Sequence, residues 1–323
     1  MTTKAQEDGL PVRRILIAAL LAAPSVAFAQ LAIEITGAGA QRTPVAVAPF
    51  AGENTLPPTI SSIIRGDLER SGLFRSLEVP ALNPPLNEST AVNYAEWRGR
   101  LADALVVGSL VQLPNGRFET RVRVDDVVKQ SRLGAVALPT AKDNVRAVGH
   151  RAADYVYEKL TGEKGVFSTL ISYVVKRGSA YELQIADADG LNDQTILKSH
   201  EPIISPAWSP DGKRLAFERN VEIWTIGIDG KRPRRVVSPS SIIEGPPPEC
   251  SAAPGARRIE AAETFGAPVW SPDGGWLLLG SSESWGDDQA THDVYIVRPD
   301  GSDFRTIAPD AAAGDPDWQP LPR

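Results

Sequence analysis

Three histidines and one cysteine are the only side chains in this 323-residue chain that ordinarily supply neutral-pH proton transfer or soft metal ligation. His150 falls in a helical pattern, where a surface position is expected. His200 lies in the loop Ser199-His200-Glu201-Pro202-Ile203-Ile204-Ser205, a position suited to contacting a partner. His292 precedes a strand-like run and reads as structural. The lone Cys250 excludes an internal disulfide framework or a cysteine-rich zinc site and reads as a free thiol in a loop. A serine hydrolase needs a Gly-x-Ser-x-Gly turn to expose its nucleophile, and the chain has no such pentapeptide. Asp187, Asp189 and Asn192 faintly resemble a calcium loop but lack the later bidentate glutamate, so a plain hairpin turn is expected. The residues thus point away from catalysis, with no metal, cofactor or small-molecule substrate expected. A net charge of −6 gives no electrostatic case for nucleic acid or an anionic membrane surface.

What remains is recognition, and the elements that would position it are legible. Arg13 and Arg14 precede the apolar run 15–23, and Ala27-Phe28-Ala29 gives a small-x-small site before Gln30. This reads as a signal peptide over 1–29, releasing a chain that starts near Gln30. Residues 30–164 then alternate strand and helix signals. Pro44–Phe50 and the buried run Ala104–Gly108 read as strands. Ile60, Ile63, Ile64 and Leu68 share one helical face, ending near Gly72. Pro114-Asn115-Gly116 marks a hairpin, Ser131–Leu138 a further strand, and Asp143 or Asn144 the cap of a helix that stops at Gly162. Together these predict a small mixed α/β domain.

From 165 to 323 the pattern is β only. Trp208-Ser209-Pro210-Asp211-Gly212 recurs as Trp270-Ser271-Pro272-Asp273-Gly274, a four-residue turn with proline and glycine in their favoured places. Asp211 and Asp273 are expected to hold these turns through local bonds, and the repeat tryptophans to anchor the core. Trp276 and Trp285 fall outside the pattern. Asp-Gly turns at Gly190, Gly230 and Gly301 each lie between two strand-like runs. A strand, the Trp-Ser-Pro-Asp-Gly turn, a second strand, then two more around an Asp-Gly turn: this is a four-stranded, WD40-like propeller unit. About three such blades are recognisable. The first lacks an opening strand, and Asp315–Pro320 resembles an opening strand that could close a ring on it. Residues 238–266, with Pro246-Pro247-Pro248 and Pro254-Gly255, read as irregular. The expected fold class is α+β: a mixed α/β domain followed by a β-propeller, incomplete by blade count.

Several stretches carry a resemblance: Leu31–Gly37, Pro44–Phe50, Ile64-Arg65-Gly66-Asp67-Leu68-Glu69-Arg70-Ser71-Gly72-Leu73-Phe74, the helix ending at Thr161-Gly162, and Pro206–Gly212. With the export signal, they resemble the TolB family, periplasmic components of the Tol-Pal system. The resemblance implies a periplasmic, non-catalytic adaptor between TolA and Pal that supports outer-membrane integrity and constriction during division. It implies TolA binding by the first mature residues, here Gln30, Leu31, Ile33 and Ile35. It implies Pal docking at the propeller face, here Ser199, His200, Glu201 and Ser205, and peripheral association with the outer membrane through Pal. The family's propeller has six blades, so this chain departs from it in blade number. Two other readings stand beside it: an exported propeller-containing serine hydrolase-like protein, and a degenerate TolB-like protein without Pal binding.

Overall fold

The computed structural model describes residues 42–53, 58–80, 82–141, 144–238, 263–283, 294–308 and 316–318. The expected signal peptide, Cys250, Trp285 and His292 lie outside these residues.

In the first domain a five-stranded sheet is built from β1 (Thr43–Val47), β2 (Phe74–Leu77), β3 (Ala104–Gln112), β4 (Phe118–Asp126) and β5 (Ser131–Thr140), in the order β2-β1-β3-β4-β5. β1 runs parallel to β2 and β3, whereas β3, β4 and β5 are antiparallel. Both faces of the central strands are covered, which is why Ala104–Gly108 is apolar throughout rather than alternating. Val45, Val47, Ala104 and Val106 face helices α1 (Ile60–Arg70) and α3 (Val145–Thr161), while Ala46, Ala48, Leu105 and Val107 face Trp97 of the short helix α2 (Tyr94–Gly99). Thr59 caps α1 by accepting from the Ser62 N–H, and Gly162 ends α3 in a left-handed conformation, its N–H bonded to the Glu158 carbonyl at 2.8 Å. Asn144 is the N-cap residue of α3 but makes no side-chain capping bond.

The β-only region forms three antiparallel sheets. β6 (Leu170–Arg177), β7 (Ala180–Asp187) and β8 (Gln194–Ser199) make a three-stranded sheet, as the missing opening strand predicts. β9 (Ile203–Trp208), β10 (Arg214–Arg219), β11 (Glu222–Gly227) and β12 (Arg234–Val237) make a complete four-stranded one. In the third sheet β13 (Glu263–Phe265) and β14 (Val269–Trp270) both pair with β15 (Leu277–Glu283), followed by β16 (Val294–Val297) and β17 (Arg305–Ala308). Residues 263–265, inside the stretch expected to be irregular, are therefore a short strand.

Successive sheets pack face to face around shared apolar clusters. Leu183 and Ile185 of the first meet Ile203, Leu215 and Phe217 of the second. Ala216, Ile223 and Val236 of the second meet Phe265, Trp270, Leu277 and Tyr295 of the third. The Trp-Ser-Pro-Asp-Gly turns form as expected. The Ser209 hydroxyl donates to Asp211 Oδ1 at 2.6 Å, and the Lys213 N–H donates to the same oxygen at 3.1 Å. These bonds hold the Asp211 carboxyl below its ordinary range, and Ser271 with the Gly275 N–H does the same for Asp273. Trp270 is buried, whereas Trp208 is only half-buried against the second sheet's cluster. Trp276, outside the repeat pattern, is held between the guanidinium groups of Arg298 and Arg305 at 4.3 and 4.9 Å from its ring.

Two inter-sheet contacts repeat. Trp270 Nε1 donates to the Ala207 carbonyl at 3.2 Å, and Trp318 Nε1 donates to the Val269 carbonyl at 3.3 Å. Residues 316–318 thus pack on the third sheet, in the position Trp270 takes on the second. Residues 316–318 are not in a strand, and the rest of the segment expected to close the ring lies outside the described residues.

Candidate partner-docking surface and the seam that supports it

At one end of the second sheet, the connection from β8 to β9 carries the sequence-predicted residues. The Ser199 hydroxyl accepts from the Glu201 N–H at 3.0 Å, fixing a tight local turn that leaves His200 exposed at its tip. The Glu201 carboxylate reaches Arg219 Nε at 3.4 Å, and the Arg219 guanidinium lies 3.8 Å from the Trp224 ring centre. Ser205 has φ +50°, and the β9–β10 register shifts there: residues 205 and 206 lie opposite Phe217 alone. This bulge interrupts the alternation of β9 and turns both Ile204 and Ser205 to solvent. Ile204 is 48% exposed, and Val221, in the β10–β11 turn, is 37% exposed.

The end of the sheet therefore presents exposed aliphatic side chains beside an acid–arginine pair, a histidine and serine hydroxyls. Such a mixture suits a polar protein interface with a small apolar centre. The structure brings Ser199, His200, Glu201 and Ser205 to this one end, while Gln30, Leu31, Ile33 and Ile35 lie outside the described residues. Val221, Arg219 and Trp224 were not singled out from sequence. Asn220 is a turn former that could have marked this turn in the sequence; in the structure both Asn220 and Val221 take positive φ.

The sheets are tied to the first domain through a buried ionic cluster. His150 is 2% exposed, which corrects the surface position expected for it: it lies on the face of α3 that packs against α1 and the β7–β8 turn. Its Nδ1 lies 2.7 Å from Asp67 Oδ2, and its Nε2 lies 3.2 Å from Arg146 Nη2. A carboxylate only accepts and a guanidinium only donates, so the imidazole donates at Nδ1 and accepts at Nε2. Arg146 also binds Asp187 at 3.1 Å and Asp189 at 2.5 Å, and Arg70 pairs with Asp67. Burial pushes the Asp189 carboxyl up, but Arg146, the Leu191 N–H and His150 outweigh it and leave it below its ordinary value.

Asp67, His150 and Asp189 present ligand atoms within 4.8 Å of one another, a spacing that could hold a metal ion. The two carboxylates are already engaged by Arg70 and Arg146, so the donor set is an ion-pair network and fits a cation poorly. Asp187 and Asp189 thus sit in a hairpin turn, as expected, and their carboxylates anchor that turn to α3. On the same seam Asp154 of α3 accepts from the Phe167 and Ser168 N–H groups at 2.6 and 3.1 Å.

A mixed α/β domain joined to face-to-face antiparallel sheets defines an α+β protein with a partial β-propeller. Residues 31–133 match the TolB amino-terminal domain and residues 157–247 the TolB beta propeller domain. Over the residues these two matches cover, the chain belongs to the TolB family. Tol-Pal system protein TolB of Dechloromonas aromatica is 52% identical over 205 residues, 64% of this chain and 48% of that protein. The protein of the same name from Nitrosomonas europaea is 46% identical over 213 residues, 65% of this chain and 50% of that protein. The crystal structure of TolB from Acinetobacter baumannii superposes with a TM-score of 0.63 at 29% identity, covering 86% of this chain and 63% of that one. The chain spans about half the length of the curated relatives it matches. Among the described residues no helix is long and apolar enough to cross a membrane.

Proposed function

We propose that this chain is a non-catalytic periplasmic adaptor of the Tol-Pal system, exported by its N-terminal signal and linking TolA to Pal. Gln30, Leu31, Ile33 and Ile35 would form the TolA-binding segment, an extended stretch that adds to a partner's sheet edge. Ser199, His200, Glu201 and Ser205, with Ile204 and Val221 between them, would form the Pal-docking surface. Association with the outer membrane is then peripheral, through Pal, and the role is envelope integrity and constriction at division. The observation that carries this reading is the two TolB domain matches, in order, beside relatives of about half identity named as Tol-Pal system proteins.

Pull-down of the purified protein with TolA and with Pal tests it. Retention of both is expected. A Glu201→Lys, Ile204→Asp double variant should lose Pal and keep TolA, and binding to neither partner overturns the reading.

A further inference from the structure

The other end of the second sheet is chemically different. β9 runs from Ile203 to Trp208 and β10 returns from Arg214, so the turns at 209–213 and 228–233 lie opposite the Ser199–Ser205 end. There a groove of about 850 Å³ opens between the second and third sheets. Five cations line it: Lys213, Arg214, Lys231, Arg232 and Arg234. They are concentrated in a chain whose net charge is −6.

Asp229 and Asp300 also line the groove and Asp211 lies beside it, so the cations outnumber the carboxylates five to three, and each carboxylate accepts its hydrogen bonds within its own turn. Asp229 Oδ1 accepts from the Lys231 N–H at 3.0 Å, and its side-chain contact with Lys231 is a loose 3.8 Å between groups 59% and 77% exposed. Asp300 Oδ1 accepts from the Ser302 N–H and hydroxyl, and Asp211 Oδ1 from Ser209 and the Lys213 N–H. Lys213 and Arg232 form no ion pair among the described residues. Arg232 is exposed at φ +57°, and Arg214 is pinned by stacking 4.8 Å from the Trp270 ring. Ile228, Pro233 and Pro299 add apolar lining to the groove, and the prolines stiffen the backbone there.

We propose that this groove is a second interaction surface, and that its partner is an extended acidic peptide segment. The five cations come from two neighbouring turns of the second sheet and line a concave groove together with apolar side chains, which a chain of alternating carboxylates and methylene stems can enter and a flat bilayer cannot. The surface is independent of the docking end proposed above.

Fluorescence anisotropy of labelled hexaglutamate with the full chain tests this, with hexalysine as control. Binding of hexaglutamate alone is expected, weakening at high ionic strength as screening predicts. The Lys231→Glu, Arg232→Glu double variant should bind about tenfold or more weakly, corresponding to about 1.4 kcal/mol or more. Lys213→Glu, in the β9–β10 turn, should act in the same direction. The altered side chains are exposed, so an unchanged circular dichroism spectrum separates loss of binding from loss of fold. No binding of hexaglutamate at low salt overturns the proposal, as does equal binding by the variants. Charge-dependent capture of phosphatidylglycerol vesicles without peptide binding likewise overturns it, in favour of a lipid surface.

Discussion

At Gly230 and Gly301 an Asp-Gly hairpin turn presses on the outer strand of the preceding sheet; at Gly190 the same turn meets a helix of the other domain. A Cβ built on Gly230 would stand 2.9 Å from the Ile196 carbonyl oxygen, and one on Gly301 2.7 Å from that of Val236. Nothing lies within 4 Å of the same position at Gly190, where the contact is instead made by Asp187 and Asp189 to Arg146. One turn sequence therefore serves two seams. Between sheets the seam is apolar and closed by backbone approach, and between domains it is ionic and closed by side chains. The first kind depends on shape and is indifferent to pH, whereas the second depends on charge.

The sharpest break is expected at the apolar seam. Trp270→Ala removes the buried indole and its bond to Ala207, at a cost of about 3–5 kcal/mol. Chemical denaturation followed by near-ultraviolet circular dichroism should show the sheets unfolding first while the α/β domain persists.

Arg146→Ala leaves Asp187 and Asp189 facing each other and His150 Nε2 without its donor. Removing one partner of a fully buried pair costs about 3–5 kcal/mol. Arg146 is 24% exposed, so the lower end, about 2–3 kcal/mol, is expected after allowing for screening. Hydrogen exchange should rise in α3 and the β7–β8 turn, with little change at the seam between the second and third sheets.

Gly301→Ala should cost about 1–3 kcal/mol, since a left-handed φ and a backbone clash coincide. Gly190→Ala, with only the φ penalty, should cost about 1 kcal/mol. Equal losses in thermal unfolding would erase the distinction between the two turns.

Acid should act on the ionic seam. The Asp189 carboxyl is held below its unfolded value, so its contribution is fully present above that value, near pH 4. It is lost as pH falls through the lower folded value. Denaturant midpoints measured from neutral pH downward should fall more steeply for the native protein than for Arg146→Ala.

The smallest effect is expected at Glu218 on β10, whose carboxyl is pushed up by burial. Glu218→Gln should stabilise by less than about 1 kcal/mol at neutral pH, because the charged form is the disfavoured one. That gain should vanish on acidification, the opposite pH trend to Asp189.

The sequence made the α/β domain and the sheets legible where periodicity and turn chemistry agree, as in α1, α3, the β3–β4 hairpin and both Trp-Ser-Pro-Asp-Gly turns. Short elements escaped it. β2 has four residues and α2 six, too few for a period to register, although Trp97 of α2 anchors the second face of the sheet. The burial of His150 was hidden because its partners, Asp67 and Arg146, lie 83 residues before it and 4 residues before it, and only the packing of α3 on α1 unites them. Ile204 and Val221 look like core residues by type, and only the bulge at Ser205 and the positive φ at Val221 bring them to the surface. The basic groove was equally invisible, since its cations come from two separate turns and the whole chain is acidic.

The two tryptophan bonds have a consequence for how this architecture can vary. In each, the later tryptophan donates a hydrogen bond and the earlier sheet accepts it, at the carbonyl of the residue just ahead of its own Trp. The contact is head-to-tail rather than self-complementary, so the two junctions that carry it have the same polarity. A sheet can be gained or lost in evolution without any surviving junction needing new chemistry, which makes the number of units in such an array far easier to change than the nature of their joint.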